Sequence, residues 1–185
     1  CCTQWLKEGN LHLMLSWLNK IQNHERLAHP ELTLLHLSAL IFSRHFNEAH
    51  YQLQHLKNHY AGHVSEVIAA TLAFLENVFN LFHQDSYQAE QAILQAKNNI
   101  HYDDIRDADF TFLARHYMLQ GDCETAIRYA TRGKVLLAKL NHDYLSSFTD
   151  VILILSEREL GHIFIARQMT QDFFNQYAQQ PQTPC

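Results

Sequence analysis

A short pattern that recurs five times along the 185-residue chain constrains the fold more than any other feature of the sequence. In each copy, a turn residue is followed five positions later by a small or apolar residue. The five pairs are Gly9 with Met14, Arg44 with Ala49, Gln84 with Ala89, Gly121 with Ala126, and Gly161 with Ala166. Successive second members lie 35, 40, 37 and 40 positions apart. Because this period is the length of a helical hairpin, the pattern predicts a stack of such hairpins.

The segments between the turns show the spacing of α-helices. From Val64 to Phe82, apolar residues step by three and four, which places them on one helical face. The chain contains 26 Leu and 17 Ala but five Val, a balance that favours helices over strands. The predicted helices span residues 3–8, 10–22, 30–44, 47–59, 63–83, 86–99, 104–120, 122–139, 143–160 and 162–178. We therefore expect an all-α fold, a right-handed superhelix of about five stacked antiparallel hairpins, forming one domain over residues 1–178 with a disordered tail at 179–185.

The fourth unit of this pattern resembles a tetratricopeptide repeat. The resemblance rests on Phe110, Leu113, Ala114, Tyr117, Gly121, Ala126, Tyr129 and Gly133. Small residues such as Ala114 and Gly133 let two helices approach, and bulky residues such as Tyr117 fill the space between them. The other units depart from this pattern, so we expect a divergent repeat family.

The region around the first two turns carries a more distinctive order of features. Trp17 and Leu18 close one predicted helix, a loop ends on His29, Pro30, Glu31 and Leu32, and an acid followed by Ala49 comes after the next turn. Over about residues 5–58 this order resembles the repeat region of large LuxR-type transcription activators of the MalT class. The resemblance implies a bacterial regulator with a nucleotide-binding switch, a superhelix that senses an inducer or a regulatory protein, and a helix-turn-helix.

Only the superhelix of such a regulator is expected in this chain. There is no GxxxxGK[ST] phosphate loop, and no basic recognition helix follows residue 160. The chain opens on Cys1 rather than Met, which suggests a piece of a longer polypeptide whose other domains are its partners. Its first hairpin is short, so the apolar side formed by Trp5, Leu6, Leu13 and Trp17 is expected to pack on a preceding domain or on another copy.

Charge and cysteine usage exclude several functional classes. With 14 Lys and Arg against 19 Asp and Glu, the chain lacks the basic surface that duplex DNA requires, so no direct DNA binding is expected. No run of 18 apolar residues and no signal peptide is present, so we expect a cytoplasmic location and no membrane partner. Cys1, Cys2, Cys123 and Cys185 lack CxxC spacing and are interpreted as free thiols.

Fourteen histidines raise the question of a metal site. His24 and His29 lie in an HExxxH run, one residue longer than the zinc hydrolase motif, so the two imidazoles do not share one helical face. His55, His59 and His63 recur every four residues, but no neighbouring Asp or Cys completes a metal site, and a solvated helix end is favoured. We expect no metal, no cofactor and no enzymatic activity.

The candidate binding site is the concave groove that the first helices of stacked hairpins usually line. The repeat register projects Ser38, Asn77, Asn80, Arg115 and Arg158 into it. Amide and guanidinium donors can hold a sugar hydroxyl or a carboxylate, although ordinary solvated polar residues are the alternative. A small-molecule inducer or a regulatory protein is the expected occupant. The alternative function is a protein-interaction scaffold with no small-molecule ligand.

Overall fold

The computed structural model describes residues 2–60, 65–83 and 109–178. These residues form ten α-helices and no β-strand, which confirms the predicted all-α class. The helices are α1 (Cys2–Glu8), α2 (Leu11–Leu18), α3 (Asn23–Leu27), α4 (Pro30–Phe42), α5 (Phe46–His59), α6 (Glu66–His83), α7 (Asp109–Leu119), α8 (Cys123–Leu140), α9 (Asp143–Glu159) and α10 (Ile163–Ala178). The predicted helix at 86–99, the first residues of the one at 104–120 and the predicted tail at 179–185 lie outside the described residues.

The predicted turn residues adopt one common geometry. Gly9, Arg44, Gly121 and Gly161 have φ of 79°, 62°, 83° and 83°. At Gly121, the N–H donates to the Met118 carbonyl (3.1 Å), and the next N–H, of Asp122, donates to the Tyr117 carbonyl (3.0 Å). The same pair of hydrogen bonds closes the other three turns, and this arrangement is a Schellman motif that ends a helix. The fifth predicted turn, at Gln84, lies outside the described residues.

The small or apolar residue five positions after each described turn is buried. Met14, Ala49 and Ala126 have no exposed surface, and Ala166 is 6% exposed. A turn of two or three residues joins helices that pack against each other, so each pair of helices runs antiparallel. The predicted turns are therefore confirmed at the four positions that the structure describes, and the structure adds that the residue following each of them is buried.

Two details of the predicted helices are wrong. Residues 10–22 do not form one helix, because α2 ends at Leu18 and the short helix α3 begins at Asn23. The Arg26 side chain donates to the carbonyl of Leu18, at the end of α2, and so satisfies a group that a longer helix would have paired internally. The helix predicted at 47–59 begins one residue earlier than expected, since α5 already starts at Phe46, after His45.

The chain divides into two compact units, Cys1–Arg106 and Asp107–Cys185. The expected single domain over residues 1–178 stays a prediction. In the first unit, α1, α2 and α4 contact one another, and so do α4, α5 and α6. In the second unit the same mutual contacts join α7, α8 and α9, and α10 packs on α9. α1 and α7, each the first helix of a described hairpin, thus contact their own partners α2 and α8 and the first helix of the next described hairpin, α4 or α9.

A close approach of α7 and α8 depends on Gly133. A methyl group at this position would lie 3.2 Å from the β-carbon of Phe110 and 3.3 Å from the hydroxyl oxygen of Thr111. Ala114 and Ala130 are fully buried nearby, in a core cluster with residues of α9. The predicted role of small residues in this unit is confirmed, because the two helices meet where their side chains are smallest.

A buried hydroxyl pair joins the first helices of the two hairpins in this unit. Thr149, in α9, donates to the Leu145 carbonyl (2.7 Å). Its oxygen therefore accepts from the Thr111 hydroxyl of α7, at 2.7 Å. Both threonines are fully buried, so the pair satisfies polar groups that water does not reach.

Replacing Gly133 by Val is expected to lower the free energy of unfolding by roughly 1–3 kcal/mol, because the added methyl groups meet α7 at the closest point of the interface. Thr131→Val, two positions away on the exposed side of α8, is the matched control and is expected to change it by less than about 0.5 kcal/mol. Urea unfolding followed by circular dichroism measures both variants. Equal stability of the two would contradict the close-approach argument.

Candidate functional site

The predicted groove residues of the first unit lie on α4 and α6. Ser38 is 8% exposed, and its hydroxyl donates to the Leu34 carbonyl one turn earlier (2.8 Å), so its hydrogen is used within α4. Asn77 and Asn80 are half-buried on α6.

The predicted groove residues of the second unit lie on α7 and α9. Arg115 is half-buried. Arg158 is exposed, and its guanidinium pairs with the carboxylate of Glu159 at 2.8 Å. Ser38, Arg115 and Arg158 thus lie on α4, α7 and α9, each the first helix of a described hairpin, whereas the helix predicted to follow α6 lies outside the described residues. A single groove shared by the five stays a prediction, since they are divided between the two units.

A concave site that the sequence analysis missed lies between α3 and α5. It is a groove of about 400 Å³. Four of its lining residues, Glu48, Tyr51, Gln52 and His55, step by three and four along one face of α5. Asn23 and Leu27 of α3 and Leu56 of α5 complete the lining. Aliphatic and aromatic surface with a few amides, one carboxylate and one imidazole suits a small ligand with an apolar body and polar substituents.

A buried histidine lies beneath this groove. His36 of α4 is 5% exposed, and its Nδ1 is 2.6 Å from Oε1 of Gln52, a residue that also lines the groove. Burial, and then the charge of Arg26, lower the pKa of His36 to about 4. The ring is therefore neutral at pH 7, and its Nδ1–H donates to Gln52.

Because the neutral His36 ring carries its hydrogen on Nδ1, its other nitrogen, Nε2, is a hydrogen-bond acceptor. Nε2 of His36 accepts from the Arg26 guanidinium, whose Nη1 is 3.2 Å away. The side-chain oxygen of Asn19 lies 2.9 Å from the same nitrogen and 3.4 Å from Nη1 of Arg26. Gln52 thus connects the groove to a polar cluster of His36, Arg26 and Asn19.

Arg26 joins α3 to the rest of the first unit. It donates to the Leu18 carbonyl (3.1 Å), to the side-chain oxygens of Asn19 and Asn23 (3.4 and 3.5 Å), and to His36. These acceptors are all neutral, and burial lowers the pKa of the guanidinium. The carbonyl of Arg26 accepts from the Thr33 hydroxyl at 2.7 Å.

Hydrogen bonds therefore hold α3 in place. None of its five residues is buried, and the hydroxyl of Tyr60 donates to the Leu27 carbonyl at 3.2 Å. A segment held by polar contacts alone opens at a lower free-energy cost than one packed into a core. The α3 wall of the groove thus contributes no buried residue to the core, whereas α5 buries Ala49, Leu53 and Leu56.

The histidine cluster considered as a metal site in the sequence is only partly described by the structure. The His55 and His59 rings are stacked with centroids 6.1 Å apart, and His63 lies outside the described residues. No group of three potential metal ligands occurs within the described ranges.

Cys123 is buried with a free thiol, as predicted. No helix in these ranges has the length and apolar character needed to cross a bilayer.

Comparisons with protein-family models, with curated proteins and with solved structures found no match to this chain.

Arg26→Met keeps the length of the side chain but removes its donors, so Leu18, Asn19 and His36 lose a partner. We expect a loss of roughly 1–3 kcal/mol in the free energy of unfolding. Amide hydrogen exchange in residues 19–29 should become faster, because α3 then detaches. Glu25→Gln, at the exposed neighbouring position, is the matched control. Unchanged exchange in Arg26→Met would show that α3 does not depend on the guanidinium.

The stability of the first unit should fall on acidification. Unfolded histidine has a pKa of about 6.5, whereas folded His36 has one of about 4. Between these values the unfolded chain binds a proton that the folded chain does not. The contribution of neutral His36 to the free energy of unfolding is thus complete above pH 6.5. Roughly 2 to 3 kcal/mol of it is lost as the pH falls to 4.

Urea midpoints between pH 4 and 7.5 measure this effect. The difference between the native chain and His36→Gln should shrink as the pH falls, because the variant lacks the buried group while the other histidines are retained in both. Parallel pH profiles for the two proteins would contradict the assignment.

Proposed function

We propose that this chain is a tetratricopeptide-like helical repeat module that binds a regulatory ligand, and that it serves as the sensor region of a MalT-type LuxR family activator. The observation that carries the repeat proposal is the identical turn at Gly9, Arg44, Gly121 and Gly161. Each turn is followed by a buried residue five positions later and by the same mutual packing of neighbouring helices. Repeated local geometry of this kind generates a solenoid when hairpins continue to stack.

The sensor proposal rests on residues that surround α3. Trp17 and Leu18, at the end of α2, and His29 and Pro30, at the start of α4, carry the resemblance to MalT-class regulators and lie on either side of α3. The Leu18 carbonyl accepts from Arg26, and Glu48 lines the groove. The region that resembles those regulators is thus the region that contains the α3–α5 groove.

The proposed mechanism is a population shift. A ligand that contacts both α3 and Gln52 binds only when α3 is docked, so it favours the docked arrangement by its difference in affinity for the two states. In a longer regulator, this change would be transmitted to other domains of the same polypeptide. The small-molecule inducer or regulatory protein, the cytoplasmic location, the absence of direct DNA binding and a homo-oligomeric state all belong to this proposal.

A scaffold without a small-molecule ligand is the second candidate. It is favoured by large apolar side chains at the surface, among them Trp17, 53% exposed in α2, and Phe164, 89% exposed in α10. Exposed apolar side chains of this size are typical of protein-binding surfaces.

A thermal-shift screen of sugars, amino acids and aromatic catabolites separates the two candidates. A ligand at one hundred times its Kd adds about 2.7 kcal/mol of stability, which raises Tm by several degrees. If the α3–α5 groove is the site, Tyr51→Ala abolishes the shift, and Gln54→Ala, off the groove face of α5, preserves it. If the predicted groove on the first helices is the site, Asn77→Ala and Asn80→Ala abolish it instead. No shift with any compound, combined with tight peptide binding, would support the scaffold.

A further inference from the structure

Two amide side chains on opposite walls of the α3–α5 groove have their oxygens engaged by the same polar cluster. Gln52 of α5 accepts the Nδ1–H of His36 at Oε1, over 2.6 Å. Asn23 of α3 has its Oδ1 3.5 Å from Nη2 of Arg26, and a guanidinium only donates hydrogen bonds. Neither NH₂ group has a protein acceptor within the described residues. Each amide therefore keeps two donors for a ligand.

The charge behind the two amides is a cation without a carboxylate partner. Arg26 contacts Asn23 directly and Gln52 through His36. In the part of the chain that the structure describes, its acceptors are all neutral, and its buried Nε has no hydrogen-bond partner. A half-buried guanidinium in neutral surroundings makes the electrostatic potential at the nearby amide donors more positive. This potential favours an anionic acceptor between the two amides.

A carboxylate of the protein lies one helical turn away from this donor pair. Glu48 precedes Gln52 by four residues on the same face of α5, so their β-carbons are about 6 Å apart. The Glu48 carboxylate is 3.8 Å from Nδ1 of His45, which is beyond hydrogen-bond distance, and both side chains are exposed. No lysine or arginine is among the described residues that line the groove. Glu48 can therefore accept hydrogen bonds from a cationic group of a ligand.

Apolar and aromatic side chains supply the remaining described lining apart from His55. Leu56 of α5 is fully buried, and Leu27 of α3 is half-buried. The ring of Tyr51, between Glu48 and Gln52 on the same helix face, is 79% exposed and available for packing. A groove of about 400 Å³ is larger than any single amino acid. The lining thus combines an anion site, a cation site and an apolar surface.

We propose that the ligand of the α3–α5 groove is a free α-amino acid with an apolar side chain. Its carboxylate accepts from the NH₂ groups of Asn23 and Gln52, and its ammonium group donates to Glu48. Its side chain packs on the two leucines and on the ring of Tyr51. One carbon separates the two charged groups of such a molecule, and the flexible Glu48 and Gln52 side chains, one helical turn apart, can reach both. This inference rests on the proposed sensor function, because it names the ligand class of the same groove.

Ligands that carry one of the two charges, or neither, fit less well. A carboxylic acid without an ammonium group places its negative charge beside that of Glu48 with nothing to compensate the two. An amine without a carboxylate excludes water from the donors of Asn23 and Gln52 and leaves them unpaired. A sugar offers acceptors to the amides, but it brings no cation to Glu48 and less apolar surface to Tyr51.

Calorimetric titration of the full chain at pH 7.5 tests the ligand class. L-Phenylalanine is the probe, and it is compared with the two molecules that each lack one of its charged groups. 3-Phenylpropionate lacks the ammonium group, and 2-phenylethylamine lacks the carboxylate. Both are expected to bind at least about tenfold more weakly than L-phenylalanine, because each leaves one side of the site without its partner.

Three variants locate the site. Gln52→Glu keeps an oxygen for His36 but replaces the amide donors, so it should weaken binding of L-phenylalanine at least about tenfold. Gln54→Glu makes the same change on another face of α5 and should alter binding less than about twofold. Glu48→Gln should weaken L-phenylalanine about fivefold and leave 3-phenylpropionate unchanged or tighter, a reversal that a general loss of structure does not produce. Circular dichroism verifies that each variant is folded.

Failure of the ligand class and failure of the proposed function give different results. If L-phenylalanine does not bind but another compound of the thermal-shift screen gives a shift that Tyr51→Ala abolishes, the amino-acid assignment is wrong and the sensor function stands. The assignment is also overturned if 3-phenylpropionate binds as tightly as L-phenylalanine, or if Gln52→Glu has no more effect than Gln54→Glu. If no compound binds by either method, the assignment and the sensor function are both overturned.

Discussion

The rest of the structure depends on the closure of the helix ends by backbone hydrogen bonds at a left-handed residue. A helix leaves its last carbonyls without partners, and two of them are satisfied when the chain reverses through positive φ. Arg44 and Asn141 adopt this conformation without being glycine, at a cost of roughly 1–2 kcal/mol each. The packing of the following helix compensates that cost, since the turn is the shortest route that places Ala49 against the core.

This closure explains why small residues recur where they do. The turn fixes the start of each second helix, so the side chain five positions later always meets the same neighbouring helices. Close contact then requires Ala126 in one hairpin and Ala166 in the next. Gly133 extends the contact along α8, and the same mutual packing of three helices recurs within each unit. The insertion of α3 interrupts this arrangement, because polar contacts rather than apolar packing hold it.

The parts of the fold that could be predicted are those governed by local chemistry. Glycine at a turn and alanine five positions later are visible in the sequence because both preferences arise within one helix end. The groove could not be predicted in this way. Its polar cluster joins Arg26, His36 and Gln52, which share no periodicity and belong to three helices. The one available indication was the long link between Leu18 and Pro30, compared with two or three residues at the four recurring turns.

The amino-acid sequence by itself determined the helical class, the positions of the turns and the buried residue that follows each of them, because these depend on backbone preferences and on spacing along one helix. Only the tertiary structure decided that α3 exists, that His36 is neutral and that one face of α10 is exposed. Those features depend on which helices become neighbours, and burial, hydrogen-bond partners and electric fields are properties of the packed assembly rather than of any single segment.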